Sequence, residues 1–170
     1  MKICLNAGHT LTGKGCGAVG LLKESTEARK IVKAVSDYLV MKGHTVIIDN
    51  VDYAASQNEY LEKVVSIANT AKSDLFVSIH LNSGGGSGCE VYTWRGASSS
   101  KAQGVCDELN LLGFRNRGVK DGSEYYVIRK TIMPALLIEV CFVDNETDAE
   151  LYKRLGSRII AQAITRGIIK

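Results

Sequence analysis

The stretch Asp74–Asn82, DLFVSIHLN, constrains the fold of this chain more than any other. Leu75, Phe76, Val77 and Ile79 form a run of strand type, β-branched at two positions and apolar on both faces. The run then ends abruptly in His80 and Asn82. In open α/β sheets the carboxyl ends of the strands are where ligands bind. The organisation of the rest of the chain therefore turns on which polar residues converge on His80.

Taken in order, Lys2–Asn6 (KICLN) reads as a short strand leading into Ala7-Gly8-His9, and residues 10–20 form a glycine-rich loop. A helix is expected from Ser25 or Thr26, either of which can cap it. Ala28, Ile31, Val32, Val35 and Leu39 lie on one face, and Lys42-Gly43 supplies the stop. Thr45–Asp49 is a second strand and Asn58–Ala71 a second helix, with Leu61, Val64, Val65 and Ala68 inward, before the strand that ends at His80. This alternation predicts right-handed crossovers and a parallel sheet. Ser83–Gly88 (SGGGSG) reads as the most flexible stretch. It is followed by a strand at Glu90–Trp94, a helix at Ser100–Leu112, a short edge strand at Tyr125–Arg129 and a strand at Ala135–Val140 opened by Pro134. One or two helices between Thr147 and Gly167 complete the pattern. The expected architecture is a single α/β domain over residues 1–170: a mostly parallel twisted sheet of about six strands, with helices on both faces.

The 170 residues suffice for one sizeable core. The net charge of +3 is scattered, with no basic run interleaved with aromatics, so nucleic acid is not an expected partner. No segment has the length and apolarity of a signal peptide or a membrane span, which points to synthesis in the cytoplasm and no membrane insertion. The five cysteines are odd in number, irregularly spaced and contain no CxxC, which argues against a disulfide framework and a zinc ribbon. Cys4, Cys106 and Cys141 sit in apolar surroundings as core residues, whereas Cys16 and Cys89 lie in or beside glycine-rich stretches and are expected to be more exposed.

Four residues stand out for chemistry. His9 follows the first strand and His80 ends another expected to run parallel to it, so the two imidazoles can reach one point. His44, after a helix stop, reads as a turn histidine. A catalytic zinc site takes nitrogen, sulfur or oxygen donors and keeps one position open. The cysteines are badly placed, which leaves Glu24 or Glu27 at the start of the first helix as the third donor. Glutamates in a first helical turn also occur simply for the helix dipole. Glu139 is the only charged residue in the apolar strand ALLIEV, and a buried carboxylate there needs a partner. A metal or its water would serve, as would an arginine.

With these residues in view, the chain resembles the zinc-dependent N-acetylmuramoyl-L-alanine amidases of the amidase-3 type, which include bacterial cell-wall amidases and the catalytic domains of many phage endolysins. LNAGHT, GAVGLLKE, VSIHLN, and RGVK followed by YYVIRKTIMPALLIEVCFVDN match the family's blocks in order and cover nearly the whole chain. Ala7 stands where the family usually has proline. Asp49-Asn50 and Lys63 stand where it often has arginines. The resemblance implies one zinc ion held by His9, Glu24 and His80, with Glu24 preferred over Glu27 because it follows the Leu-Lys pair. It also implies Glu139 as the catalytic carboxylate and peptidoglycan as substrate, with the bond between N-acetylmuramic acid and L-alanine hydrolysed. Asn82 is a candidate substrate contact by position alone. The absence of an export signal points, by analogy, to an endolysin released through holin-type membrane holes. The rival readings are a zinc peptidase or carboxypeptidase acting on stem peptides, a non-catalytic wall-binding module, and a cysteine hydrolase, which the cysteine placement disfavours.

Overall fold

The computed structural model describes residues 1–170. A six-stranded sheet runs β3 (Thr45–Ile48), β1 (Lys2–Ala7), β5 (Leu75–Asn82), β8 (Ala135–Phe142), β6 (Cys89–Thr93), β7 (Asn116–Asp121). All pairs are parallel except β6 with β8. Two-residue strands β2 (Thr12–Gly13) and β4 (Tyr53–Ala54) pair separately. Helices α1 (Glu24–Met41), α3 (Ser100–Leu111) and α5 (Glu146–Ile168) cover one face, over a core of 34 buried residues that includes Ile3, Leu5, Val77, Ile79 and Ile138. Helices α2 (Gln57–Ala71) and α4 (Tyr126–Lys130) cover the other, over a cluster of 11 that includes Cys4, Phe76 and Leu137. The expected sheet with helices on both faces is thus present. DLFVSIHLN lies at its centre, as a strand apolar on both faces must.

The α2/α4 face changes character along the strands. Across β1, β5 and β8, the row Cys4, Phe76, Ala135 is followed two residues on by Asn6, Ser78, Leu137. Two residues further, His80 pairs with Glu139, which in turn pairs with Glu90 of β6. Laterally paired residues share a face, so an apolar floor becomes polar at the carboxyl edge. The site forms there.

Four local expectations need correction. Tyr125–Arg129 is not a strand: Tyr125 precedes the short helix α4, and Val127 and Ile128 are buried in the smaller cluster. The β-branched and aromatic composition favoured a strand, but β8 already has β5 and β6 as neighbours and the segment packs best beneath the sheet. The edge strand on this side of the sheet is β7, NRGVKD, a largely polar segment with no apolar alternation to mark it as a strand. Helix α1 starts at Glu24 after Lys23, with no side-chain cap, and Ser25 is buried with its hydroxyl unpartnered. Cys89 is fully buried, because it opens β6 beneath α3. The glycine-rich 83–88 segment is also tied down. Gly84 and Gly85 N–H groups donate to Asp144 Oδ2 at 2.8 and 3.0 Å, and Gly88 N–H donates to Asp148 Oδ2 at 2.8 Å.

Asp49, at the end of β3, is buried with both carboxylate oxygens unpartnered. Burial pushes its pKa up to about 7, and burial together with the Asp49 charge pushes the Cys4 thiol up to about 12. Between the ordinary carboxyl pKa near 4 and about 7, the native chain holds a proton that the unfolded chain has released. Stability contributed by this group is therefore full at acid pH and lost as pH rises through about 7. Asp49→Asn is expected to stabilise the protein at pH 8 by about 1–3 kcal/mol, with the gap shrinking by pH 5. Urea unfolding at the two pH values measures this, and a gap that does not shrink would show that Asp49 does not titrate in this range.

Candidate metal centre

His9 lies two residues beyond β1, and its backbone is left-handed, φ 68°. For a non-glycine residue this conformation costs on the order of 1–3 kcal/mol and persists only when its surroundings enforce it. Here Gly8 N–H donates to the Ile79 carbonyl at 2.8 Å and His9 N–H to the Tyr60 hydroxyl at 2.8 Å. Arg29 Nη2 donates to the His9 carbonyl at 3.0 Å. Gly8 is required for a different reason: a Cβ there would collide with the His80 imidazole. Sequence reasoning named neither Tyr60 nor Arg29, because their positions on α2 and α1 become meaningful only once both helices lie beside the His9 turn.

Glu24, the first residue of α1, is 4% exposed and stands between the two imidazoles. Its Oε1 is 3.2 Å from His9 Nε2 and 3.1 Å from His80 Nδ1, and accepts Leu81 N–H at 3.2 Å. Its Oε2 accepts Ala18 N–H at 2.8 Å. Gly17 allows this approach, since its φ of +76° and the closeness of His9 and Glu24 leave no room for a side chain. Glu27 turns away, to Lys30 Nζ at 2.8 Å and the Tyr152 hydroxyl at 2.9 Å. Of the two glutamates, only Glu24 faces the histidines.

One donor atom from each of His9, Glu24 and His80 lies within 4.8 Å of the others. Donors about 2.1 Å from a shared tetrahedral ion stand about 3.4 Å apart, close to the separations from Glu24. The chemistry of the set also fits a cation. The Gly15 carbonyl, 3.1 Å from His9 Nδ1, can only accept, so the ring carries its hydrogen there and turns the Nε2 lone pair toward Glu24. Burial opposes charge on all three groups. Even so, the His80 and His9 rings set against it hold the Glu24 carboxyl well below the usual range. For His9, burial is outweighed by Glu24 and the pKa is raised; for His80, burial prevails and it is lowered.

Glu139 stands beside His80 in register, is 8% exposed, and its Oε2 has no hydrogen-bond partner. Burial first, then the charges of Glu24 and Glu90, raises its pKa well above the ordinary carboxyl value. A divalent cation among the neighbouring donors would draw it back down. No arginine forms an ion pair with Glu139; Arg117 Nε donates instead to its register partner Glu90, at Oε2 and 2.7 Å. Glu90 Oε1 also accepts from the Tyr92 hydroxyl and from Asn82 Nδ2, each at 2.9 Å. The Asn82 amide is thereby engaged internally, its Oδ1 taking Ser83 N–H at 2.8 Å. His44 lies at the far edge, 3.3 Å from the Met1 amino group.

The site opens into a cleft of about 340 Å³ that reaches His9, His80 and Glu139 and is walled by Gln57, Tyr60, Glu124, Tyr125 and Tyr126. Helix α4, expected as a strand, supplies part of that wall. A larger cavity of about 510 Å³ lies at the opposite edge, against Asp74, Trp94 and Pro134, and contains no histidine. No helix is long and apolar enough to cross a membrane.

Comparison with known proteins agrees with this arrangement. The chain is 36% identical over 176 residues to an uncharacterized protein of Clostridium perfringens (strain 13 / Type A), covering 99% of this chain and 51% of that protein. It is 34% identical over 171 residues to the N-acetylmuramoyl-L-alanine amidase CwlM of Bacillus licheniformis, covering 98% and 65%. It thus spans about half to two thirds of the length of these relatives. Among solved structures, the catalytic domain of the CD27L endolysin targeting Clostridia Difficile superposes with a TM-score of 0.91 at 28% identity, covering 99% of this chain and 97% of that one. The Amidase_3 family model, N-acetylmuramoyl-L-alanine amidase, matches residues 3–170, and the chain belongs to that family.

Proposed function

We propose that the chain hydrolyses the amide between the lactyl group of N-acetylmuramic acid and L-alanine in peptidoglycan, using a zinc ion held by His9, Glu24 and His80. The observation that carries this reading is the unpartnered Oε2 of buried Glu139 beside three converging metal donors. When bound, zinc supplies Lewis acidity toward an amide carbonyl and lowers the pKa of water. Glu139 Oε2 takes the proton of the attacking water and returns it to the leaving amine nitrogen, for which its burial and elevated proton affinity suit it. Glu24 Oε2 remains anchored by Ala18 N–H and His9 Nδ1–H by the Gly15 carbonyl, so the donors need not reorganise during turnover. Tyr125 and Tyr126 offer flat apolar faces with polar edges to the substrate.

Similarity to the CD27L catalytic domain supports an endolysin role. Mass analysis of digested cell walls tests the activity. Free lactyl carboxyl ends with new L-alanine amino termini are expected, and a chelator should abolish their release. New amino termini within the stem would instead mark a stem peptidase. Binding without any new termini would mark a wall-binding module.

A further inference from the structure

Two buried polar side chains beneath the metal donors have no part in the chemistry above. Asn6 of β1 and Ser78 of β5 are register partners, 0% and 1% exposed. Their immediate neighbours on this face, Cys4, Phe76 and Leu137, are apolar core residues. Buried polar groups need partners, and the bonds these two make run in one direction. Asn6 Nδ2 donates to the Asp49 carbonyl, which can only accept, so the amide has one orientation and turns Oδ1 toward Ser78. Ser78 Oγ donates to that Oδ1 at 2.9 Å. With its single proton committed there, Ser78 Oγ can only accept from His80 Nε2, also 2.9 Å away. The same Asn6 oxygen accepts from the Tyr60 hydroxyl at 3.4 Å, and Tyr60 in turn accepts the His9 N–H.

We propose that Asn6 and Ser78 form a hydrogen-bond relay from the Asp49 carbonyl that fixes His80 as its Nε2–H tautomer, which leaves the Nδ1 lone pair free for a divalent cation. The alternative tautomer would place a hydrogen on Nδ1, 3.1 Å from Glu24 Oε1. Such a ring would donate to Glu24 and close the donor set against a cation. Ser78 and Asn6 are thus positioning residues that act through His80 by disfavouring this closed state. The inference rests on the metal reading given above.

Long-range nitrogen–proton correlation spectra of the metal-free protein report which ring nitrogen of each histidine carries hydrogen. The expected result for His80 is hydrogen on Nε2, and hydrogen on Nδ1 overturns the proposal. Zinc affinity, measured by competition with a chelating dye, is the second readout. Ser78→Ala is expected to weaken zinc binding by about 10–100-fold, whereas Ser78→Thr, which keeps the hydroxyl, stays within about threefold of wild type. Unchanged affinity in the alanine variant overturns the relay, and so does equal loss in both variants, since packing would then account for it. If the alanine variant does not fold, the wild-type spectrum decides. A wild-type chain that binds no zinc removes the metal reading and the relay together, whereas normal wild-type binding with an unaffected Ser78→Ala removes only the relay.

Discussion

Glu139→Gln is expected to reduce amide hydrolysis by about 10²–10⁴-fold, the usual contribution of a positioned general acid–base, while metal binding stays close to wild type. The reason is local. Glu139 lies next to His80 in register but contributes no atom to the three-donor set. Glutamine preserves its volume and removes its capacity to take up and release a proton. The fold should tolerate the change, because the native carboxyl is buried, lacks a partner at Oε2 and disfavours its charged form. Release of soluble fragments from purified cell walls, read beside metal content, provides the measurement. Substantial lysis by the variant would remove Glu139 from the mechanism.

Glu24→Ala should be equally damaging by a different route. Glu24 Oε1 is the atom common to both imidazole contacts, and its removal leaves Leu81 and Ala18 N–H groups without their acceptor. Loss of a direct donor is expected to weaken metal binding by more than the roughly 10–100-fold typical of outer partners. Hydrolysis should be lost in step with the metal. Glu27→Ala is the matched control: its carboxylate serves Lys30 and Tyr152, so metal content and activity should hold. Some stability should be lost with the Tyr152 contact, by about 0.5–1.5 kcal/mol. Metal titration of the two variants separates the glutamates, and equal metal loss in both would contradict the geometry.

Much of the fold was legible because periodicity encodes it. Ala28, Ile31, Val32, Val35 and Leu39 recur at helical spacing and are all buried on α1. The two apolar strands that carry His80 and Glu139 pair directly. Where the reading failed, local preference and tertiary demand disagreed. Tyr-Tyr-Val-Ile carries strand propensity, yet it forms the turn and helix that wall the cleft. NRGVKD carries no pattern, yet it forms one edge of the sheet. The apparent flexibility of Ser83–Gly88 followed from its glycines alone, since Asp144 and Asp148, which anchor it, lie about 60 residues away.

By itself the sequence determined the alternating α/β order and the presence of imidazoles and an isolated glutamate at strand ends. These follow from residue spacing and from the rule that a charged group inside an apolar strand needs a partner. Only the tertiary structure decided which glutamate faces the histidines. Glu24 and Glu27 are three residues apart on α1, so periodicity places both toward nearly the same face, and only the neighbours that pack against successive turns send one to the histidines and the other to Tyr152. It alone also set the direction of the bonds beneath His80, because Asn6, Asp49 and Ser78 meet only when β1, β3 and β5 lie side by side. Donor identity is local chemistry. Donor orientation depends on contacts between distant segments, and spacing along the chain carries no record of them.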